Sequence, residues 1–195
     1  MGKRILLIQG HPDPQPNHLG HALDEAYAEG AQSAGHEIRR INVAQLDFPL
    51  LRNLDEWKNS PLPPTLQESQ AAIEWCEHLV LFFPLWLGDM PALLKGFLEQ
   101  VARPGFAFDR SSKNPLTRQA LNGRSARVVV TMGMPASLYR WYFRAHSLRS
   151  LERNILGMVG IAPVDETLIG MVDELSPEAT QRLMKKLRKL GQNGD

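Results

Sequence analysis

Residues 79–97 read LVLFFPLWLGDMPALLKGF, and they indicate the fold more clearly than any other stretch. Leu79 to Phe83 form a continuous apolar run, which is typical of a strand buried on both faces. Pro91 is well placed for the first turn of a helix. The apolar stripe of that helix repeats at helical spacing, at Leu94, Phe97, Leu98 and Val101. A buried strand that leads into an amphipathic helix is the unit from which α/β proteins are built.

The same alternation runs through the rest of the chain. Further strands are expected at residues 5–8, 37–43, 127–131 and 164–169. Helices are expected at residues 19–35, after Thr65 (in a capping box with Glu68), and at residues 91–101, 138–157 and 177–190. Two long loops, residues 45–64 and 103–122, complete the pattern. Five strands interleaved with helices predict a parallel sheet with right-handed crossovers, in a single domain over residues 1–195.

Composition narrows the classes of function. Of the 195 residues, 43% are hydrophobic and 22% are charged, as in a soluble globular domain. The formal net charge of +1 predicts no nucleic-acid partner and no membrane insertion. The one cysteine, Cys76, excludes an internal disulfide and is interpreted as a small core residue. The longest apolar run, residues 79–87, is too short to cross a membrane, and no signal peptide is recognisable, so a cytoplasmic location is expected.

Three segments follow the carboxyl ends of predicted strands, where open α/β sheets bind their ligands. The first, residues 10–19, leads into a helix whose free N–H groups and dipole suit a phosphate, with His11 and His18 as further donors. The alternative is a proline-rich turn with Asn17 as the helix cap. The segment has neither a G-x-G-x-x-G nor a Walker motif, so a tightly cradled dinucleotide or nucleoside triphosphate is not indicated.

The second and third segments, residues 84–90 and 132–139, favour a flat ligand. Leu85, Trp86 and Leu87 follow a buried strand and offer apolar faces beside backbone donors, although they could equally extend the core. In the third segment, Gly133 permits close approach of the backbone to a ligand. Tyr139 offers a hydroxyl near the same edge, or else is a half-buried tyrosine at a helix start.

Together the three segments resemble the NAD(P)H:quinone oxidoreductase family, the DT-diaphorase-like branch of the flavodoxin-fold enzymes. Residues 83–97, FPLWLGDMPALLKGF, are similar to its F-P-L-x-W/x-x-G-x-P-A-x-L-K-G-W/F signature. Weaker matches are His11-Pro12, Thr131-x-Gly133 and Phe106-Ala107-Phe108. The resemblance spans roughly the whole chain. It implies a three-layer flavodoxin-like α/β fold with a five-stranded parallel sheet in the order 2-1-3-4-5.

The resemblance also implies a homodimeric flavoprotein with its active site at the subunit interface. The implied cofactor-binding residues are His11, Asn17 and His18 at the phosphate, Pro84, Leu85, Trp86, Leu87 and Gly88 at the isoalloxazine ring, and Thr131, Met132, Gly133 and Met134 at its pyrimidine edge. Tyr139 and His146 are the implied catalytic residues, with His146 close to the family's spacing but not at it. Pro16 departs from the family's first loop and has no backbone N–H, so the choice between FMN and FAD stays open.

The implied reaction is a ping-pong exchange. NADH or NADPH delivers a hydride to the flavin, leaves, and is replaced by a quinone-like acceptor that takes a second hydride. The protein's part is to orient the rings and to tune the electronics of the flavin.

Other functions remain open at this point. Some relatives are flavin-binding soluble regulatory subunits of potassium-efflux antiporters, which implies a possible transporter partner. A one-electron flavodoxin carrier is disfavoured by the near-neutral charge. A hydrolase using Ser137 and His146 would lack the G-x-S-x-G elbow. A metal site is disfavoured because the first-loop histidines show no ligand spacing with nearby acids.

Overall fold

The computed structural model describes residues 2–109 and 119–195 of the protein. At its centre is a five-stranded sheet in the order β2-β1-β3-β4-β5, in which every neighbouring pair is parallel. The strands are β1 (Arg4–Gln9), β2 (Glu37–Asn42), β3 (His78–Pro84), β4 (Arg124–Thr131) and β5 (Ile161–Ile169). The predicted strands and the strand order implied by the family resemblance are confirmed.

Helices cover both faces of the sheet, which gives three layers. One face packs against α1 (Leu19–Ser33) and α8 (Pro177–Asn193). The other face packs against α3 (Gln67–Trp75), α4 (Ala92–Val101) and the segment from α5 (Ala136–Trp141) through α6 (His146–Ser150), a π-helix (Leu151–Leu156) and α7 (Gly157–Val159). Alternate residues of β1 supply the two cores, Leu6 and Ile8 on one face and Ile5 and Leu7 on the other. No helix in the described part of the chain has both the length and the apolar character needed to span a bilayer.

Two glycines bring α1 and α8 into close contact. A Cβ atom at Gly30 would lie 2.0 Å from the carbonyl oxygen of Arg188, and one at Gly191 would lie 2.1 Å from that of Tyr27. These distances are far below van der Waals contact, so the two helices can pack this closely only because neither position carries a side chain. The crossing fixes the position of α1, whose first turn borders the ligand site.

The predicted helix over residues 138–157 is interrupted. α5 ends at Trp141, and Arg144 and Ala145 follow in the left-handed region, with φ of 55° and 47°. The chain therefore makes a turn before α6 begins at His146. The apolar spacing predicted one continuous helix because the buried positions before and after the interruption still lie in the core. The interruption itself replaces an exposed turn of that helix, where apolar spacing gives no signal.

The loops also differ from expectation in two places. Helix α2 (Leu54–Asn59) lies inside the predicted loop 45–64, with the Asn53 side chain accepting a hydrogen bond from the Glu56 N–H. The capping box at Thr65 is wrong, because its hydroxyl donates to the carbonyl of Asp47 instead. Residues 110–118 of the second predicted loop lie outside the described residues.

Candidate functional site

A cleft of about 670 Å³ lies at the carboxyl edge of the sheet. The strand register explains its position: Gln9 pairs with Phe82, Pro84 with Thr131, and Thr131 with Ile169, so the chain leaves neighbouring strands at one level. All three predicted ligand loops reach the cleft. The predicted site residues on its wall are His11, Asn17, His18, Pro84, Leu85, Trp86, Thr131, Met132 and Gly133.

The first loop places three histidines around one aspartate. The N–H of Asp13 donates to Nδ1 of His11 at 3.1 Å, and Nε2 of His18 lies 2.9 Å from Oδ2 of Asp13. His21 reaches the carbonyl oxygen of Asp13 with its Nε2, at 3.1 Å. The rings of His11 and His18 are stacked with centroids 4.1 Å apart. The loop is therefore held by its own side chains, and its imidazoles are concentrated beside the cleft.

Burial and neighbouring charges shift the titration of two of these groups. Burial lowers the pKa of His11, and the nearby His18 lowers it further. The hydrogen bond from the Gln15 N–H lowers the pKa of Asp13, and the hydrogen bond with His18 adds to this effect. Asp13 is therefore a carboxylate and His11 a neutral imidazole at neutral pH.

The first turn of α1 adds backbone donors to the cleft. His18 is the N-cap residue of α1, and neither it nor Asn17 caps the helix with a side chain. Leu19 and Gly20 line the cleft, and within residues 2–109 and 119–195 their N–H groups have no hydrogen-bond partner. A helix N-terminus with free N–H groups is suited to an anion.

The second loop makes a tight hairpin turn at Trp86–Asp89. The N–H of Trp86 donates to the carbonyl of Asp89 at 2.8 Å, and the reverse bond is 3.0 Å. The two central residues, Leu87 and Gly88, have φ of 49° and 81°, as in a type I′ turn. The N–H of Leu85 is also used, because it donates to the carbonyl of Thr131 at 2.7 Å. Of the backbone donors predicted here, those of Leu87 and Gly88 are left for a ligand.

The third loop leaves the backbone of Gly133 accessible from the cleft. The N–H of Met132 donates to the carbonyl of Ile169, whereas that of Gly133 has no backbone partner among the residues described. A Cβ atom at Gly133 would lie 3.5 Å from Oδ2 of Asp173, an ordinary contact distance. The glycine therefore provides a short stretch of bare backbone beside the cleft.

Sequence reasoning missed part of the wall. Val172 and Asp173, in the loop after β5, line the cleft, as does Asp13. The sequence did contain a signal for Val172 and Asp173, because they follow the last predicted strand and so lie at the same edge of the sheet as the other three loops. Asp13 lies within the first predicted ligand segment, residues 10–19, but the sequence predicted no role for it.

Several predicted site residues lie elsewhere. Tyr139 is buried, and its hydroxyl lies 2.8 Å from the Ser147 hydroxyl and accepts from the Leu148 N–H at 3.3 Å. His146 is exposed at the start of α6, and Met134 packs against the core. None of these three lines the cleft in the described protomer. Leu87 and Gly88 lie at the exposed tip of the second loop.

Comparison with known proteins gives the family. The sequence profile of a family described as having a flavodoxin-like fold matches residues 3–193. The chain belongs to this family. An uncharacterized NAD(P)H oxidoreductase, YcaK, of Escherichia coli K12 is 27% identical over 208 residues, covering 96% of both chains. A ribosyldihydronicotinamide dehydrogenase-like protein of Penicillium crustosum is 27% identical over 155 residues, and that alignment covers 67% of this chain but only 57% of the fungal protein.

Solved structures agree with this flavodoxin-like fold. An NAD(P)H:quinone oxidoreductase from Methanothermobacter marburgensis superposes with a TM-score of 0.81, at 23% identity and with 99% and 97% of the two chains covered. An FMN-dependent NADH-azoreductase from Bacillus anthracis, in complex with FMN, gives 0.75 at 16% identity and 99% coverage of both. At these identities the similarity establishes the shared fold.

The cleft of this flavodoxin-like chain has the donors and surfaces that a flavin phosphate and a flat ring require. Free helix N–H groups and imidazoles lie on its wall together with the half-exposed indole of Trp86 and the bare backbone of Gly133, and the ring centroids of His11 and Trp86 are 6.0 Å apart. Within the described residues, no cluster of histidine, cysteine and acidic side chains is arranged to hold a metal ion, and the three histidines of the first loop are no exception. The free N–H groups, the imidazoles and the indole suit the site to an organic anion with a planar group.

Proposed function

We propose that the protein is a flavin-dependent NAD(P)H oxidoreductase that reduces quinone-like acceptors by two-electron hydride transfer. One observation carries the proposal: the loops after β1, β3 and β4 border a single cleft whose wall has both anion donors and an indole. The relatives described as an NAD(P)H oxidoreductase and an NAD(P)H:quinone oxidoreductase support the reaction class.

The first loop would bind the cofactor phosphate. The free N–H groups of Leu19 and Gly20 and the imidazoles of His11 and His18 supply donors on a preorganised turn. Donors fixed before binding cost little reorganisation when the anion arrives. Pro16 removes one backbone donor, and the histidines compensate for it.

The second and third loops would hold the ring. A bound flavin supplies the hydride relay between NADH or NADPH and the acceptor. Trp86 would cover part of the ring and keep water from it. The N–H groups of Leu87 and Gly88, at the exposed tip of the same loop and outside the cleft wall, would contact its edge. The N–H of Gly133, with Thr131 beside it, would stabilise negative charge on the pyrimidine side.

Tyr139 and His146 take different roles in the proposal. Because the Tyr139 hydroxyl is bonded to Ser147 and Leu148, we assign Tyr139 to positioning the turn between α5 and α6. His146 is exposed, and it remains our candidate for contact with the acceptor, in a site completed by a second subunit.

A homodimer is part of the proposal. A hollow of about 530 Å³ lies between α2, α4 and the π-helical segment, with an apolar wall that includes Leu54, Trp57, Leu98 and Met158. Leu54 and Met158 are exposed in the protomer. Apolar surface of this kind is typical of protein interfaces. Light scattering after size exclusion should give twice the mass of the chain, and Leu54→Asp with Met158→Glu should shift it to monomer; a monomeric wild-type protein would refute the dimer.

FMN is the proposed cofactor, because the azoreductase of the same fold is FMN-dependent. The proposed location is the cytoplasm, where nicotinamide cofactors and quinone acceptors are available and where Cys76, buried and with its pKa raised to about 11 by burial, would stay reduced.

The deciding experiment is the visible spectrum of protein reconstituted with FMN or with FAD. We expect flavin absorption to remain with the protein after gel filtration and to be bleached by NADH or NADPH under anaerobic conditions, then restored by a quinone. Tight binding of FAD alone would correct the cofactor. Loss of both flavins on the column would refute the oxidoreductase proposal.

A regulatory subunit of a potassium-efflux antiporter is the second candidate. The observation that favours it is the exposed aromatic segment Trp141, Tyr142 and Phe143, which begins at the last residue of α5 and could dock on another protein. Under this alternative, flavin-loaded protein would oxidise NAD(P)H very slowly and would co-purify with a membrane transporter. Rapid turnover with a soluble quinone would decide against it.

A further inference from the structure

The first loop contains a histidine arrangement that flavin binding alone does not require. His11 and His18 are stacked, and His21 lies 5.8 Å from His11 between ring centroids. We infer that His18 is a proton-dependent phosphate ligand, so that binding of a phosphorylated flavin takes up a proton and weakens as the pH rises. The inference rests on the proposed function, because the flavin supplies the phosphate.

Asp13 determines which nitrogen of neutral His18 carries the hydrogen. Nε2 of His18 lies 2.9 Å from Oδ2 of Asp13, and Asp13 is a carboxylate because hydrogen bonds lower its pKa. A carboxylate can only accept a hydrogen bond. Neutral His18 must therefore carry its hydrogen on Nε2, which leaves a bare lone pair on Nδ1.

The lone pair on Nδ1 makes neutral His18 a poor neighbour for phosphate. Nδ1 makes no hydrogen bond within the described ranges, and it is not a buried atom. Facing a phosphate oxygen, its lone pair would be repulsive, whereas the imidazolium presents an N–H on both nitrogens. Protonation thus adds a charge-assisted donor without breaking the bond to Asp13.

His11 differs from His18 in its contacts with Asp13. Its Nδ1 lies 3.1 Å from the backbone N of Asp13 and 3.2 Å from the carbonyl oxygen of the same residue, so either tautomer of the neutral ring has a partner there. Burial and the adjacent His18 lower the pKa of His11, which favours the neutral ring. The proton taken up on binding is therefore placed on His18.

His21 stabilises the same turn through the backbone of Asp13. Its Nε2 lies 3.1 Å from the Asp13 carbonyl oxygen, an acceptor, so Nε2 donates and holds the turn. His21 also borders a hollow lined by Asp24, Glu25 and Arg40, where Arg40 pairs with both carboxylates.

Two further elements line the same cleft as His18. The loop after β5 contributes the carboxylate of Asp173, and the second loop contributes the uncharged Trp86. A phosphate dianion bound beside His18 would add a negative charge and an acceptor for an N–H on Nδ1. The proton uptake on binding comes from that added interaction.

The test compares FMN with riboflavin, which has the same ring and no phosphate. Titration calorimetry of the flavin-free protein at pH 7.5, in buffers of different ionisation enthalpy, counts the protons taken up. The second ionisation of the phosphate, with a pKa of about 6, is nearly complete at this pH. We expect uptake of about one proton with FMN, none with riboflavin, and FMN affinity that falls by up to about tenfold per pH unit above neutrality.

Two variants separate this role from a structural one. His18→Asn removes the titrating ring and should abolish the proton uptake. In Asp13→Asn the amide can still accept from the Gln15 N–H and can donate to Nε2, so neutral His18 carries its hydrogen on Nδ1. That variant should bind FMN severalfold more tightly at pH 8.5 and take up less of a proton. Equal uptake for FMN and riboflavin, or uptake unchanged in His18→Asn, overturns the inference while flavin binding stands; failure of both flavins to bind at any pH overturns the proposed function as well.

Discussion

Replacing Gly30 by alanine should test whether the contact between α1 and α8 holds the ligand-binding end of α1 in place. The new Cβ would lie 2.0 Å from the carbonyl oxygen of Arg188, where real Cβ contacts are not below 3.0 Å, so one helix must move by about 1 Å. The obstacle is backbone, which cannot rotate away. Overpacking of this kind costs about 1–3 kcal/mol, and the upper end applies here.

The helix propensity of alanine offsets part of that cost. Alanine is favoured over glycine by about 1 kcal/mol in a helix interior. The net loss in the free energy of unfolding is therefore about 2 kcal/mol, which in a chain of this size lowers the Tm by about 4–8 °C. Urea titration of flavin-free protein should show a lower midpoint with an unchanged m value.

Gly20 provides a matched control in the same helix. A Cβ there would meet only the Gln9 amide, at 3.8 Å and beyond, so Gly20→Ala should lose no stability and gain up to about 1 kcal/mol. The reasoning is refuted if Gly30→Ala is as stable as the wild type, or if both variants shift the midpoint by the same amount.

Three other predictions concern single side chains. Burial raises the pKa of Asp24 to about 6 in the folded state, above its unfolded value. The free energy of unfolding should therefore fall as the pH rises from about 4 to about 6, by at most about 3 kcal/mol. Asp24→Asn should therefore stabilise the protein at pH 7 and flatten that part of the pH–stability curve, and an unchanged curve would contradict the burial argument. Tyr139→Phe leaves the Ser147 hydroxyl and the Leu148 N–H without their partner, so urea titration should show a free energy of unfolding lower by about 1–3 kcal/mol. The folded variant should keep its FMN affinity. A loss of FMN affinity at normal stability would instead indicate that Tyr139 contacts the ligand. Leu87→Gly removes an exposed side chain from a left-handed backbone position and should raise the free energy of unfolding by up to about 1 kcal/mol, seen as a slightly higher urea midpoint. A clearly lower midpoint would indicate that the Leu87 side chain makes a stabilising contact.

The sequence was a good guide to the elements that bury apolar residues. The run from Leu79 to Phe83 and the stripe on α4 predicted a strand and a helix that the structure contains almost to the residue. The prediction failed at α2 and at the turn after Trp141, where the segments are exposed and apolar spacing carries no information. Local side-chain bonds decide such segments, as the Asn53 cap does for α2.

The candidate site shows the same division. That the loops after β1, β3 and β4 would meet followed from the strand pattern together with the family resemblance. Which backbone donors stay free did not follow, because the N–H of Leu85 is taken by Thr131, a residue 46 positions later in the numbering. The burial of Tyr139 also escaped prediction, since its spacing from Gly133 suits a ligand contact and a core contact equally well.

The sequence by itself determined the alternation of strands and helices and the edge of the sheet where a ligand would bind, because the period of apolar residues directly records which positions are buried. Only the tertiary structure decided the state of individual polar groups: the contact of Nε2 of His18 with Asp13, the bonded hydroxyl of Tyr139, and the N–H of Gly133, which has no partner in the described part of the chain. A hydrogen bond depends on atomic distances of about 3 Å between groups brought together by folding, and apolar periodicity carries no record of those distances.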